Sequence, residues 1–353
     1  MKVGLVGAGF VASNYHIPSI LKTKDVELAA ICEENPTTLR RVAQRFGIKN
    51  RFEDIETMLK KTDLDMVDIA TPGFTHYKLC SLAMEFGVHV LVEKPIALSS
   101  KDAYELRSKS QKENVSLCVM QNYRYRAATL LLLENLRNGR IGRINSMITQ
   151  HHGSSVFGQP KWMWNESLSG GVLYENAIHS VDLHTFFLGP HSRVLGVDST
   201  FDQDLELTTA IRALVKHESG AVSLLDLAWF ASAIFFRSDI SGSVTDATLK
   251  LQPDALILRS GETGPWAETT GDIRRIFGFG RDIATGRHRS RSILPHYAII
   301  SLFVESIRKG LPPPVGIDDV MPTMKLLDDI RKQMHGNSVE AISKEAQAET
   351  SLG

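Results

Sequence analysis

Six residues near the start of the chain, Gly7 to Ala12, constrain its fold more than any other feature. They read Gly-Ala-Gly-Phe-Val-Ala, follow an apolar run at residues 3–6 and precede a stretch with helical spacing. In such a strand–turn–helix, Gly7 makes the tight turn, Gly9 lets the backbone approach a phosphate, and the small Ala12 lets the helix pack on the strand. Because a helix N-terminus offers unpaired N–H groups to an anion, the loop predicts a dinucleotide site that includes Gly7, Gly9, Phe10 and Val11.

Glu33 strengthens this prediction. It ends the second apolar run, at residues 26–32, about 20 residues after the loop, where a ribose-binding carboxylate belongs. A structural glycine turn beside a solvated glutamate is the alternative. A carboxylate accepts hydrogen bonds from ribose hydroxyls and repels a 2′-phosphate, and Glu34 adds negative charge, so we expect NAD rather than NADP. Arg40 and Arg41 lie a little over one turn downstream and keep NADP open.

Short apolar runs alternate with amphipathic stretches up to residue 120, and the runs predict buried parallel strands. The intervening helices have clear ends: Asn35 is an N-cap residue, and Gly47 is a typical C-terminal stop. Strand–helix alternation of this kind predicts an α/β, Rossmann-type doubly wound parallel sheet over residues 1–122. Pro18 lies inside the first helix, which it should kink or delay.

The pattern changes after residue 122. Strand-like runs with hairpin spacing predict an antiparallel or mixed sheet in an α+β domain at residues 123–336. Both faces of residues 221–230 are apolar, so we expect a second subunit to cover one of them. Residues 261–292 are rich in Gly and Arg and predict a long loop, and the polar tail at 337–353 is expected to fray.

The overall composition narrows the functional classes. With 353 residues, two domains are expected, and 40 basic against 40 acidic residues argue against a general nucleic-acid or membrane-surface role. No apolar stretch approaches the roughly 20 residues that cross a bilayer. Cys32, Cys80 and Cys118 fall on elements predicted to be buried, which favours reduced thiols in a cytoplasmic protein, and the N-terminus does not resemble a signal peptide.

Two motifs lie at the carboxyl ends of predicted strands, where open α/β sheets bind their ligands. Thr71-Pro72-Gly73-Phe74-Thr75-His76 follows the run at 66–70, and Glu93-Lys94-Pro95 follows the run at 89–92. A lysine at a strand end can present its ammonium group to a ligand. Taken alone, however, the first motif is explained by a capped helix start and the second by a surface lysine.

A third motif lies in the second domain, at residues 170–182. On an α-helix Glu175 and His179 lie four residues apart on one face, with Asp182 three residues further. A histidine beside carboxylates suits proton transfer near neutral pH, although on this segment alone a core or surface histidine in a salt-bridged helix is the better explanation. We expect no metal site, because the histidine pairs lack a suitable ligand spacing.

In combination, the three motifs and the glycine loop resemble the glucose–fructose oxidoreductase and inositol dehydrogenase family (Gfo/Idh/MocA). The resemblance runs from residue 2 to about residue 188 and more loosely through the following sheet. It implies a nicotinamide-dependent enzyme that acts on sugars, cyclic polyols or their derivatives. It also implies a large, open, mainly antiparallel C-terminal sheet through which such proteins commonly form homodimers or homotetramers.

Residue roles follow from the resemblance by position. Lys94 matches the catalytic lysine and His179 the catalytic histidine, while Glu175 stands where the family usually has aspartate, which leaves its role open. The family's cofactor-side positions correspond to Thr71, Pro72, His76, Glu93 and Asn122. Substrate-side positions correspond to Tyr123 and Arg124, and Trp162 and Trp164 either wall the pocket or anchor the core.

The resemblance predicts a dehydrogenase in which His179 accepts the proton of a substrate hydroxyl while Lys94 hydrogen-bonds the same oxygen and hydride passes to NAD. Glu175 would orient Lys94 or bind a neighbouring hydroxyl. The alternatives are a redox-neutral NAD-dependent glycosidase and a non-catalytic dinucleotide sensor. The arginines of the loop at 271–292 could meet an anionic substrate, solvent or another subunit: Arg274, Arg275, Arg281, Arg287, Arg289 and Arg291.

Overall fold

The computed structural model of the protein describes residues 1–153, 161–229, 234–259 and 287–350; of residues 161, 164, 287–294 and 335–350 it describes the backbone. The chain forms two compact units. The first consists of Met1–Asn138 and Pro253–Met321, and the second of Gly139–Gln252 and Pro322–Gly353. The domain boundaries drawn from the sequence at residues 122 and 336 stay a prediction.

The first unit contains a six-stranded sheet in which every strand pairs in parallel with its neighbours. Its strand order, β3-β2-β1-β4-β5-β6, is doubly wound, so this part of the fold prediction is confirmed. The short β3 was not predicted, because its three residues include two exposed polar ones and no apolar run. The strands are β1 (Lys2–Val6), β2 (Glu27–Cys32), β3 (Asn50–Phe52), β4 (Met66–Ile69), β5 (His89–Glu93) and β6 (Leu117–Met120).

The helix α2 (Pro36–Phe46) begins and ends at residues with recognisable capping roles. The Asn35 side chain accepts hydrogen bonds from two N–H groups in the first turn of α2, and Gly47 ends that helix in the left-handed region at φ 69°. The α-helices of the chain are α1 (Ile17–Lys22), α2 (Pro36–Phe46), α3 (Ile55–Lys61), α4 (Gly73–Glu85), α5 (Ser100–Lys112), α6 (Ala127–Arg137), α7 (Glu166–Ser169), α8 (Ile178–Leu188), α9 (Arg287–Lys309) and α10 (Ile317–Thr350).

A π turn at Ala12–His16 directly precedes α1 in the helix that follows the glycine loop. Pro18 has no N–H to donate to the carbonyl group four residues earlier, so a regular α-helix would lack one hydrogen bond at this point. A wider turn ahead of Pro18 accommodates this gap in the hydrogen bonding. The expected kink or delayed start therefore takes the form of one wide turn, with helical backbone on both sides of it. The extra residue in this turn determines the direction in which His16 points.

The second sheet has seven strands in the order β13-β12-β11-β7-β10-β9-β8. The β7–β10 pair is parallel, whereas β8–β9, β9–β10, β7–β11 and β11–β12 are antiparallel, so the prediction of a large, mainly antiparallel sheet is confirmed. The strands are β7 (Ile144–His152), β8 (His191–Asp202), β9 (Leu207–His217), β10 (Val222–Ala228), β11 (Phe235–Gly242), β12 (Asp246–Leu251) and β13 (Asp254–Arg259).

Two boundaries near the C-terminus differ from the expectation. α9 begins at Arg287, inside the segment expected to be a loop, and α10 continues to Thr350, where the polar tail was expected to fray. The tail contains several Ala and Glu residues, which have high helix propensity even without an apolar face. None of the described helices is long and apolar enough to span a membrane. All three cysteines are buried thiols, and the cytoplasmic location stays a prediction.

Candidate active site

The glycine loop leaves room for a ligand on its outer side. Gly7 has φ 95°, and a methyl group on its Cα would lie 2.4 Å from the carbonyl oxygen of Ala70, so only glycine fits there. Gly9, by contrast, has no heavy atom within 4 Å of the same position, and the neighbouring Phe10 is 72% exposed. The tight turn and the open approach are the two properties that a pyrophosphate requires of such a loop.

Glu33 lies against this loop. One of its carboxylate oxygens accepts a hydrogen bond from the Ala8 N–H at 2.8 Å, and the other accepts from the Asn35 N–H at 3.0 Å. The structure therefore brings the predicted ribose acid to the predicted phosphate loop, and these residues fit a bound NAD. When NAD is bound, its nicotinamide accepts or donates the hydride.

The motifs at the ends of β4 and β5 lie against each other. The buried His76 ring approaches the carbonyl oxygen of Pro95 at 2.6 Å through Nδ1 and that of Thr71 at 2.9 Å through Nε2. Burial lowers the pKa of His76 below its usual value, although both carbonyl groups oppose this. A methyl group on Gly73 would meet the Pro95 ring at 2.9 Å, so the start of α4 packs directly on the turn that carries Lys94.

A buried cluster of charged side chains lies behind that turn. His16 places Nδ1 2.8 Å from Asp68 Oδ2 and Nε2 2.9 Å from Glu93 Oε1. His296 Nε2 lies 3.7 Å from the same Glu93 oxygen, and its ring stacks on Tyr15 with 4.9 Å between centroids. Glu93 was predicted from the sequence as a site residue, whereas Asp68 and both histidines were not.

The electrostatics of this cluster favour a protonated His16. Burial alone would lower the pKa of His16, but Asp68 and Glu93 outweigh it and raise the pKa to about 10. Burial opposes ionisation of Glu93 as well, yet the hydrogen bond with His16 and the nearby His296 ring hold its pKa well below the usual value. Burial lowers the pKa of His296, with the nearby positive charge of His16 contributing in the same direction. The cluster therefore favours a protonated His16 beside an ionised Glu93, with His296 disfavoured as a second cation.

The residues that follow β6 have partners inside the first unit. The Asn122 amide nitrogen lies 3.4 Å from His296 Nε2, which links this predicted cofactor-side residue to the cluster. The Arg124 side chain is buried and donates to the Asp319 carbonyl oxygen at 3.0 Å. The Tyr123 ring lies 6.0 Å from the Arg126 guanidinium. The substrate roles of Tyr123 and Arg124 stay predictions.

The second unit carries the distal motif, and its helix departs from regular α geometry. A second π turn, Leu173–Ala177, contains Glu175, and His179 follows in α8. Glu175 and His179 share a helix face only at 3.6 residues per turn, which a π turn does not keep. Both side chains are half-buried. Asp182 is fully buried and accepts a hydrogen bond from the Thr323 hydroxyl, so it stabilises the attachment of α8 to α10.

The remaining predicted residues are placed only in part. Trp162 lies half-buried in a 3₁₀ turn at Lys161–Trp164, whereas the Trp164 side chain lies outside the described residues. Lys94 is half-buried at the end of β5. The side chains of all six arginines of the 271–292 segment also lie outside the described residues.

The sequence matches two family models. The oxidoreductase family with an NAD-binding Rossmann fold matches residues 1–121, and the GFO/IDH/MocA C-terminal domain matches residues 130–244. A D-apiose dehydrogenase from Paraburkholderia graminis is 30% identical over 258 residues, which cover 72% of this chain and 68% of that protein. A D-glucoside 3-dehydrogenase from Escherichia coli is 30% identical over 192 residues, which cover 54% of each chain.

A solved dehydrogenase structure shares the fold of this chain. The WlbA dehydrogenase from Bordetella pertussis, solved in complex with NADH and UDP-GlcNAcA, superimposes with a TM-score of 0.82 at 21% identity and 96% coverage of each chain. At that identity the similarity concerns the fold. The two sequence relatives described above are dehydrogenases named for a sugar and for a sugar derivative, and the N-terminal family model describes an NAD-binding Rossmann fold.

Proposed function

The chain belongs to the Gfo/Idh/MocA family of oxidoreductases, and from that premise we propose that it transfers a hydride between NAD and a hydroxyl-bearing carbon of a sugar, cyclic polyol or sugar derivative. The named substrates of its relatives, D-apiose and D-glucosides, are of this class. The proposal assigns the dinucleotide to the loop at Gly7 and Gly9 and to Glu33.

Lys94 and His179 carry the chemistry in this proposal. The Lys94 ammonium group hydrogen-bonds the substrate oxygen and stabilises its developing negative charge, and His179 takes the hydroxyl proton. Glu175 orients Lys94 or binds a neighbouring hydroxyl, with a longer side chain than the aspartate that is usual in the family. Thr71, Pro72, His76, Glu93 and Asn122 support the cofactor side.

One observation supports this assignment more than any other. The Lys94 turn is held at the carboxyl ends of β4 and β5 by hydrogen bonds on both sides, a part-buried one through Glu93 and a buried one through the Pro95 carbonyl group. Catalytic groups need this kind of fixed backbone, because displacing one by about 1 Å can cost roughly 100-fold in rate. A surface lysine without a function needs no such support.

NAD is proposed over NADP because of the charge beside the loop. The Glu33 carboxylate lies where an adenosine ribose is expected, and Glu34 is exposed next to it. Of the two arginines that could bind a 2′-phosphate, Arg40 donates from Nε to the Pro36 carbonyl oxygen at 3.3 Å. Calorimetric titration of the protein with NAD and with NADP tests this choice, and tighter binding of NADP would contradict it.

A panel of sugars tests the reaction. D-Apiose, levoglucosan, methyl glucosides and inositols are each incubated with NAD, and NADH absorbance is followed. Lys94→Ala and His179→Ala are each expected to lower turnover by roughly 100-fold or more, whereas Lys78→Ala, at an exposed lysine of α4, serves as the matched control. Release of an aglycone without NADH would instead indicate a glycosidase, and activity that survives both alanine variants would refute the catalytic assignment.

We also propose that the chain forms a homo-oligomer through the outer face of its second sheet. On β10, Leu225 and Leu227 are buried, while Leu224 on the opposite face is 37% exposed. Leu224 stands opposite Leu214 of β9 and Ile148 of β7, which are 40% and 44% exposed. An apolar row across three strands favours burial against another subunit. Sedimentation velocity tests it, since a monomer at micromolar concentration would contradict the proposal.

A further inference from the structure

The two ring nitrogens of His16 both face carboxylates. Asp68 lies at Nδ1 and Glu93 at Nε2, each within 3 Å, and the His16 ring is fully buried. An ionised carboxylate can only accept hydrogen bonds, so both contacts are satisfied only when both ring nitrogens carry a proton. His16 is therefore an imidazolium that bridges β4, which contains Asp68, and the end of β5, which is Glu93.

Glu93 continues this connection to the next residue. Its second carboxylate oxygen, Oε2, accepts the main-chain N–H of Lys94 at 3.1 Å. On the far side of Lys94, the Pro95 carbonyl group is held by His76, which also contacts the carbonyl group of Thr71. The backbone is thus anchored on both sides of Lys94. On the Glu93 side, His16 connects it to β4, and on the Pro95 side, His76 connects it to the turn that follows β4.

We propose that His16 is a positioning residue for Lys94. The His16 ring contacts Asp68 on one side and holds the Glu93 carboxylate in place on the other. Glu93 in turn fixes the main chain from which the Lys94 side chain extends. The proposal rests on the role assigned to Lys94 above. It adds a residue from the helix after the dinucleotide loop to the support of the catalytic turn.

Stability alone does not account for this arrangement. Burying charged groups carries a large desolvation penalty, and apolar side chains of similar volume often stabilise a protein as well or better. The fold nevertheless keeps three charged side chains here, with the orientation of His16 set by the π turn Ala12–His16. The charged cluster adds a defined orientation that an apolar core would not supply, because hydrogen bonds from the His16 ring and the Lys94 N–H fix the Glu93 carboxylate.

His296 is the fourth titratable group at the cluster, and it approaches Glu93 from α9. The ligand atoms of His16, Glu93 and His296 lie within 4.8 Å of one another, a spacing that also suits a metal ion. A metal bound there would take the place of the proton on His16 Nε2. The two arrangements therefore differ in an observable property, the protonation state of His16.

The first experiment uses the unmodified protein without substrate. Side-chain ¹⁵N spectra of histidine-labelled protein are recorded between about pH 6 and pH 9, and the His16 signal is identified by its loss in His16→Gln. We expect one histidine to remain doubly protonated across this range. A neutral His16 at about pH 7, or a stoichiometric metal ion in the purified protein, would overturn the proposal.

The second experiment compares His16→Gln with the matched control Ser19→Ala, which removes another buried hydrogen bond from the same helix. Calorimetry with NAD and turnover of the most active sugar of the panel are both measured. We expect His16→Gln to lower kcat by roughly 10- to 100-fold, to leave NAD affinity unchanged, and to cause no further loss when combined with Lys94→Ala. Ser19→Ala should change none of these values.

The outcomes separate the two proposals. Unchanged kcat in a folded His16→Gln variant, or an additional loss in the double variant, would overturn the positioning role while leaving Lys94 catalytic. If Lys94→Ala is itself as active as the unmodified protein, the proposed function fails, whatever the His16 variant does. If His16→Gln does not fold, the spectra of the unmodified protein still test the proposal, because the absence of any histidine that stays doubly protonated up to about pH 9 would overturn it.

Discussion

Replacing His16 with glutamine should destabilise the protein in a manner that depends on pH. The ring lies between Asp68 and Glu93 at hydrogen-bond distance, with His296 as the third titratable neighbour. A group whose pKa is raised by folding contributes its full stability below its unfolded pKa, here 6.5, and loses it as pH rises through the folded pKa, here about 10. The cost of the substitution should therefore shrink as the solution becomes more alkaline.

The size of the effect follows from the same values. A pKa that rises from 6.5 to about 10 corresponds to roughly 5 kcal/mol, at about 1.4 kcal/mol per pH unit. Removing one partner of a buried ion pair typically costs about 3–5 kcal/mol, which agrees in magnitude. Between about pH 7 and pH 9 the difference in free energy of unfolding should fall by roughly 3 kcal/mol, because the folded protein holds one proton that the unfolded chain releases.

Urea unfolding of the unmodified protein, His16→Gln and Ser19→Ala across this pH range measures the difference. Ser19 is fully buried and donates to the Tyr15 carbonyl oxygen, so its loss should cost about 1 kcal/mol at every pH. Groups elsewhere in the protein titrate equally in all three proteins, so their contributions cancel in the differences in free energy of unfolding. A cost of His16→Gln that stays constant from about pH 7 to pH 9 would refute the assignment of a buried imidazolium.

Three further expectations follow. Gly7→Ala should destabilise the protein by roughly 2–4 kcal/mol, because its methyl group meets a carbonyl oxygen at positive φ. Gly9→Ala should leave stability unchanged and weaken NAD binding. Thermal unfolding measures the stability of both variants, and calorimetry measures their affinity for NAD. Glu33→Ala should raise the Kd for NAD by about 10-fold and reduce the ratio of the affinity for NAD to that for NADP. Parallel titrations with the two dinucleotides measure both values. Leu224→Lys should shift the sedimentation profile towards monomer without lowering the melting temperature, and an unchanged profile would argue against the sheet interface.

Local signals in the sequence determine much of the first unit. Gly7 must turn the chain, Asn35 must cap a helix and Gly47 must end it, because few other residues can do so, and each acts within a few neighbours. The apolar runs needed only their length and flanking residues to be assigned as parallel strands. The resemblance then supplied the roles of Lys94 and His179, which no periodicity in the sequence indicates.

The buried cluster lay beyond such reasoning because its members come from four separate segments. His16, Asp68, Glu93 and His296 meet only once β1, β4 and β5 are paired and α9 has packed beside them. The one available signal was Asp68, a charged residue in the otherwise apolar strand Met-Val-Asp-Ile, where a buried carboxylate requires a partner. The identity of that partner depends on tertiary structure.

The π turns escaped prediction for a different reason. A helical pattern analysis assumes one constant period, and a single extra residue shifts the phase of everything that follows it. The pairing of Glu175 with His179 on one helix face was inferred on that assumption, and the turn Leu173–Ala177 alters it. Both π turns in the described part of the chain contain or directly precede residues to which a role in the site has been assigned.

The π turn Ala12–His16 also has an evolutionary consequence. A regular α-helix spans the same turn with one residue fewer, and removing that residue rotates the two flanking segments by about 100° relative to each other. A one-codon deletion there would keep the helix and the glycine loop but turn His16 away from its carboxylates. The histidine bridge can therefore be gained or lost in a single inherited step, and homologous chains with a shorter spacing between glycine loop and helix should lack it.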